Sequence, residues 1–288
     1  MSPSFELLLT LRCEKLSMRL SELGELGLLA ELERRRLIVG VVHDAARLSG
    51  DLVATQDALV EGVHFRLDWL SWRELGWRSA AVNLSDLAAS GAQPEALLVT
   101  LAVPRSTLVD DVVAFYEGIS DAGVPVVGGD TTSSDSVMIS VTALGRSPRV
   151  PGRDGARPGD LLVVTGPLGA AGAAFRRHAY VRPPLRLEEG RLLALTAHAL
   201  VDISDGLAVD AGHVARRSGV RCVIDLERVP LAEGATHTDL GFGEDFELLA
   251  AVEDAGGFPV VGRVEAGEGV AVLRDGRPYA LPGWEHFV

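Results

Sequence analysis

The chain has 288 residues, 47% of them hydrophobic, with 40 acidic against 27 basic side chains and a formal charge of -13. That length suits two modest domains, and so acidic a balance with few basic clusters excludes a nucleic-acid or anionic-membrane surface. Short apolar runs, and a leucine cluster at Leu7–Leu9 with no basic segment before it, support neither a membrane span nor a signal peptide. Cys13 and Cys222 make neither a zinc spacing nor a disulfide framework, so the chain reads as cytoplasmic.

In chain order, residues 1–17 read as a disordered or mis-started extension, with Met18 a candidate start. The stretch MRLSELGELGLLAELERRR that follows has leucines at helical spacing. Alternating apolar and amphipathic segments then predict strands at 37–42, 51–56, 96–103, 124–128 and 136–145, with helices at 72–91 and 106–122. The turn-rich passage SPRVPGRDGARPGD, from Ser147 to Asp160, marks a domain junction. Beyond it the pattern predicts a strand at 160–165, helices at 168–177, 188–199 and 206–217, and strands at 220–226, 246–252, 258–264 and 270–274. These elements make two mixed α+β or α/β domains, 18–147 and 148–288, without tandem repeats.

Five segments set carboxylates beside apolar runs: VVHDAARL with Asp44, ATQDALVEGVHF with Asp57, AVNLSDLAASGA with Asp86, VVGGDTT with Asp130, and VDISDGL with Asp202 and Asp205. Each alone is the ordinary signature of a turn or a helix cap. Together they share a grammar, an apolar strand running out into a carboxylate with small neighbours, that would gather aspartates on one rim. Magnesium takes oxygen ligands in octahedral geometry and is commonly shared between carboxylates and phosphates, so such a rim suits a phosphate-handling site. Lys15 is the only lysine, which removes every mechanism needing a Walker, Schiff-base or strand lysine and leaves metals, arginine and backbone amides. GPLGAAG at Gly166 is not a GxGxxG fingerprint, and GxSxG, HExxH and CxxC are absent.

The ordered set TQDALVEGVHF, VNLSDLAASGA, GGDTT, GRDGARPGD, DISDGL, GEDFEL and GWEHF resembles the thiamine-monophosphate kinases, within the superfamily of aminoimidazole ribonucleotide synthetase and selenophosphate synthetase. The resemblance runs from about Met18 to the last residues. It implies a two-domain fold whose N-terminal sheets join into a β-barrel in a homodimer and whose C-terminal domain is an α/β sandwich. It implies an ATP-dependent transfer to thiamine monophosphate, giving thiamine diphosphate, with several Mg2+ ions as cofactors. By the same resemblance Asp44, Thr55, Gln56, Asp57, Asp86, Asp130, Asp202 and Asp205 match metal positions. Gly129, Asp130, Arg153 and Ser204 match ATP contacts, and His64, Glu244 and Trp284 match contacts to the thiamine substrate.

Two departures stand out. Family members have paired aspartates after a glycine where this chain has Val42-His43-Asp44, and Ser or Thr where it has Gln56. A missing carboxylate and hydroxyl would weaken metal capture, and the alternative reading is a catalytically weak nucleotide- or metal-binding member of the superfamily. A selenophosphate synthetase is disfavoured, because Cys13 precedes the fold and no reactive cysteine follows in a glycine-rich loop.

Overall fold

The computed structural model describes residues 19–39 and 43–284. The 1–17 extension, Met18 and Val42 lie outside the described residues. One compact unit holds helix α1, Leu20–Arg34, whose first turn is closed by Glu22 accepting from the Arg19 amide at 2.8 Å. Gly24, at φ 71° and ψ 172°, interrupts it. The expected strand at 37–42 does not form over its described residues 37–39.

The second unit spans residues 41–284 and contains two sheets. Its first half runs β1 (Ala46–Arg47), β2 (Leu52–Val60), α2 (Trp72–Ala89), β3 (Gln93–Val103), α3 (Val109–Ser120), β4 (Val126–Ser133) and β5 (Met138–Arg146). The strands pair in the order β1-β2-β5-β3-β4, antiparallel except for β3 with β4. After a strandless passage at 147–160 come β6 (Leu161–Val164), α4 (Ala170–Phe175), α5 (Leu187–Thr196), β7 (Ala199–Asp202), α6 (Leu207–Ser218), β8 (Arg221–Asp225), β9 (Leu248–Val252), β10 (Val260–Glu265), β11 (Gly269–Arg274) and β12 (Arg277–Pro278). These strands form a seven-stranded sheet ordered β12-β11-β8-β10-β6-β9-β7, with only β8 and β11 parallel. Neither sheet closes on itself, and no described helix is long and apolar enough to cross a membrane.

Helix α2 organises both halves. Ser71 caps it, accepting from the Glu74 amide at 3.3 Å while Glu74 accepts from the Ser71 amide at 2.7 Å, a reciprocal box that fixes the start. Its side chains are buried nearly all round. Leu75, Leu84 and Leu87 belong to the core against the first sheet, whereas Ala88 and Ala89 pack with Leu193 of α5 and with Leu200, Leu248 and Ala250 on one face of the second sheet. Helix α6 covers that sheet's other face through Ala211, Val214 and Ala215. The run of small residues in WRSAAVNLSDLAAS lets neighbouring backbones come close.

The differences from the sequence expectation cluster at short, fully buried runs. The four residues from Ala199 to Asp202 form strand β7, immediately after a segment expected to be helical as far as residue 199, because four buried residues carry no period of their own. Strand β4 begins at Val126 and runs through the whole GGDTT motif, so Asp130 is within a strand; Asp57 is likewise inside β2. Of the five acidic segments, only VDISDGL sits at a strand's end as the shared grammar predicted, with Asp202 closing β7 and Asp205 in the loop after it.

The tightest helix contact is testable. A Cβ on Gly76 of α2 would sit 1.9 Å from the carbonyl oxygen of Phe115, and one on Gly118 of α3 would sit 1.9 Å from that of Arg73. Neither backbone can yield without separating the helices. Gly76→Ala and Gly118→Ala should each lower unfolding stability by about 1–3 kcal/mol or more, measured by denaturant titration; an unchanged midpoint would show that the helices slide apart freely.

Candidate active site between the two sheets

Asp44 in the loop before β1, Asp86 near the end of α2 and Asp202 at the end of β7 bring one carboxylate oxygen each within 4.8 Å of the others. Local hydrogen bonds explain the convergence. Thr55 and Asp57, two residues apart on β2, share the face that meets α2. The Thr55 hydroxyl donates to Asp86 Oδ2 at 2.5 Å, and the Asp57 amide donates to Asn83 Oδ1 at 3.0 Å. From the same turn of α2, the Ser85 hydroxyl donates to Asp202 Oδ2 at 2.8 Å. Arg153 Nε donates to Asp44 Oδ1 at 2.9 Å, placing a guanidinium against the cluster from the 147–160 passage.

The loop after β7 carries the next layer. The amides of Asp205 and Gly206 donate to Asp210 Oδ2 at 3.1 and 3.0 Å, which folds the start of α6 back on the loop. Asp205, Asp210 and His213 also have ligand atoms within 4.8 Å of one another. The backbone carbonyl of Ser204 accepts from the Glu244 amide at 2.8 Å, and that of Asp205 accepts from the Trp284 amide at 2.9 Å. Glu244 pairs with Arg78 of α2, whose guanidinium also donates to the carbonyl of His64 at 3.0 Å. His64 is itself fixed by the Val60 amide, which donates to its Nδ1 at 3.0 Å. His64, Glu244 and Trp284 are thus tied, through Arg78 and the β7–α6 loop, to the acidic cluster.

Crowding so many carboxylates in a desolvated space raises their affinity for protons. Burial, then the charges of Asp205 and Asp44, pushes Asp57 up to about 6. Burial and then Asp44 push Asp202 up to about 8. Asp86 is raised well above the ordinary carboxylate range by burial, with Asp57, Asp202 and Asp44 adding to it. Burial dominates at Asp44 as well, and the Arg153 charge offsets it only in part. Asp210 is pushed well up by burial, and burial holds the His213 imidazole down at about 4. An all-oxygen set with unneutralised charge and several carboxylate oxygens in reach of one point fits a hard divalent cation such as magnesium.

Two of the expected metal residues do not join this cluster within one chain. Gln56 lies on the opposite face of β2, where its Nε2 donates to the Ser140 hydroxyl and its Oε1 accepts from Thr142, both at 3.1 Å. Alternation along the strand decides this: a residue next to Thr55 and Asp57 must point the other way. Asp130 pairs across the ladder with Thr100, and Thr100 with Ser140, so it shares the outer face with Gln56. It also stands three strands from β2, roughly 14 Å at the usual spacing. Gly129, at φ 146°, has room for no side chain, since a Cβ would lie 1.8 Å from the Val99 carbonyl oxygen. His43, the other departure, rests against Gly152, the residue before Arg153, with its Nδ1 buried and unpartnered.

Sequence reasoning passed over Arg78, Ser85, Asp210 and His213. Arg78 had a signal, a lone charge in a helical run of small and apolar residues; Ser85 and Asp210 had none, because only the fold shows what they face.

Residues 42–147 match AIR synthase related proteins in their N-terminal domain, and residues 157–275 match them in their C-terminal domain, a mixed α/β two-domain fold. The thiamine-monophosphate kinase of Aquifex aeolicus is 36% identical over 312 residues, spanning 94% of this chain and 100% of that protein. That of Mycobacterium tuberculosis strain H37Rv is 33% identical over 315 residues, 93% of each. Among solved structures, AaThiL complexed with AMPPCP and TMP superposes with a TM-score of 0.84 at 34% identity, covering 94% of this chain and 99% of that one. The hydrogenase maturation protein HypE in complex with ATP, 21% identical, shares the fold with a TM-score of 0.67 over 90% of this chain and 94% of that one.

The raised carboxyl groups have a thermodynamic signature. Asp57 and Asp202 hold protons more tightly folded than unfolded, so their contribution is fully present below about pH 4 and is lost as pH rises through about 6 and about 8. Without divalent cations, melting temperature should therefore fall between pH 5 and 8, and magnesium should restore more at pH 8 than at pH 5. Asp86→Asn should raise the metal-free melting temperature at pH 8 and shrink the magnesium gain. An equal gain at both pH values, in a thermal unfolding series, would refute cation capture by these groups.

Proposed function

Since this chain belongs to the thiamine-monophosphate kinase family and is a kinase of that kind, we propose that it moves the γ-phosphoryl group of ATP directly and in line to thiamine monophosphate, forming thiamine diphosphate. The observation that carries the reading is the convergence of Asp44, Asp86 and Asp202 from three separate elements, beside Thr55, Asp57 and Asp205. Both reactants are anionic, so their approach needs charge neutralisation and alignment more than it needs a base. The acceptor, a phosphate monoester, is already largely ionised near neutral pH. Those aspartates would hold several magnesium ions, which when bound supply the positive charge that lets two phosphate chains meet.

The chain's own residues supply the rest. Arg153, with Gly129 and Ser204, is proposed to take the nucleotide: a guanidinium beside Asp44 has a planar donor fork suited to phosphate oxygens. His64, Glu244 and Trp284 are proposed to meet the thiamine substrate, with Glu244 accepting from an aminopyrimidine and the half-exposed Trp284 ring offering a stacking face. We propose 18–147 as the ATP- and metal-binding and dimerisation domain, carrying most of the metal residues, and 148–288 as the C-terminal domain, which adds Arg153, Asp202, Ser204 and Asp205 to the same site.

Asp130 and Gln56 give the reading a quaternary requirement. They lie on one face of the first sheet, near opposite edges, and β4 is an edge strand with every residue exposed. We propose a homodimer in which two such sheets join into a barrel, bringing Asp130 of the partner subunit to the strand that carries Gln56 and Asp57. Edge pairing of this kind removes two unpaired strand edges at once.

Two experiments test these proposals. A coupled assay with ATP and magnesium should show thiamine monophosphate converted to thiamine diphosphate, with free thiamine a poor acceptor; binding of an ATP analogue without turnover would favour a degenerate site. Asp57→Asn and Asp130→Asn should each cost orders of magnitude in kcat without lowering the melting temperature. Co-refolding the two variants should restore up to about a quarter of the wild-type rate, because half of random dimers then carry one intact site. No restoration would place Asp130 with its own chain's aspartates, or outside the reaction.

A further inference from the structure

Arg78 is a buried charge that neither the acidic cluster nor the expected site residues account for. It sits within α2, 5% exposed, and its Nη2 donates both to the Glu244 carboxylate and to the His64 carbonyl, the latter at 3.0 Å. Its Nε is buried with no hydrogen-bond partner, as is the nearby hydroxyl of Tyr180. A guanidinium kept among apolar residues with a donor unmet is poor stabilising design, since a hydrophobic side chain of similar volume is often as good or better. The residue it holds is also unusual. Glu244 has φ 59° and Phe246 φ 50°, two non-glycine residues in the left-handed region within one short loop. That conformation persists because the Glu244 amide donates to the Ser204 carbonyl at 2.8 Å and the Phe246 amide to the Ile203 carbonyl at 2.9 Å. The backbone aims Glu244, and Arg78 fixes where its carboxylate ends.

We propose that Arg78 is a positioning residue for the phosphate acceptor: one guanidinium nitrogen clamps the Glu244 carboxylate to the His64 carbonyl and so sets the distance between the two walls that receive the acceptor's ring system. With Oε1 of Glu244 taken by Arg78, the other oxygen faces the ligand as a fixed acceptor for an amino group. Arg153 is held apart from this clamp, by Asp44, and the Ser204 carbonyl meets Glu244 only through the backbone amide, a bond that does not involve the Arg78 side chain. Arg78 should therefore govern recognition of the acceptor and leave that of ATP alone. This role rests on the kinase reading given above.

Steady-state kinetics on the full chain, varying each substrate in turn, tests it. Arg78→Met should raise KM for thiamine monophosphate about tenfold or more, equivalent to roughly 1.4 kcal/mol of lost binding, while KM for ATP stays within about twofold. Arg78→Lys keeps the charge without the planar fork and should fall between the two, so it decides the matter if Arg78→Met does not fold. Glu244→Gln should raise the acceptor KM similarly, and joining it to Arg78→Met should add little, because both changes remove one clamp. A purely structural arginine would lower melting temperature and shift both KM values together, and that result, or an unshifted acceptor KM in Arg78→Lys, overturns the proposal. A wild type that binds ATP but does not use thiamine monophosphate would sink the kinase reading itself, and this role with it.

Discussion

Asn83, Ser85 and Asp86 leave a single turn of α2 toward different parts of the molecule: Asn83 and Asp86 to the Asp57 amide and the Thr55 hydroxyl of one sheet, Ser85 to Asp202 at the end of a strand in the other. Everything else about the site depends on that turn. The acids come from loops and strands with no sequence proximity, and only a helix packed into both cores can hold them at a common point. Its side chains are small there because the neighbouring backbones are close: a Cβ on Gly190 of α5 would lie 2.2 Å from the Ala88 carbonyl oxygen. The polar residues of the turn are satisfied one by one, which keeps a buried hydrophilic stripe from costing the fold more than it supplies.

The site sets function against stability. Carboxylates that share a desolvated space repel one another, and the described residues include no lysine to relieve it. Among the described residues Arg153 pairs directly with Asp44, whose side chain is almost wholly enclosed. The uncompensated charge is what makes the place attractive to a small divalent cation, and a sequence tuned for stability alone would lose it.

The fold was legible from periodicity wherever an element was long. Helices α2, α3 and α6 and strands β3 and β5 were all anticipated within a few residues, since amphipathic or alternating patterns persist over several turns or rungs. Strand β7 was not, because its four residues are buried on both faces and match any buried element. The candidate residues were legible as motifs, yet their partners were not. Gln56 sits beside Asp57 in the sequence, and the two point to opposite faces of one strand. Arg78 lies 166 positions from Glu244, and nothing in either segment names the other. Motif order could suggest which residues matter, whereas which of them touch was decided by sheet register and by the crossing of α2.

The embedding of α2 in both cores also limits how the molecule can move. A cleft between two domains closes on a hinge only when few rigid contacts cross it, and here one helix belongs to both sides, its first turns fixed by α3 and its last by α5 and the second sheet. Rocking one sheet against the other would break core packing, so opening and closing are left to the segments that ring the site. The passage from Glu61 to Leu70 and the stretch from Arg176 to Arg186 have no helix or strand to stiffen them over most of their length. Substrate entry is then a matter of loop excursions on a preassembled frame.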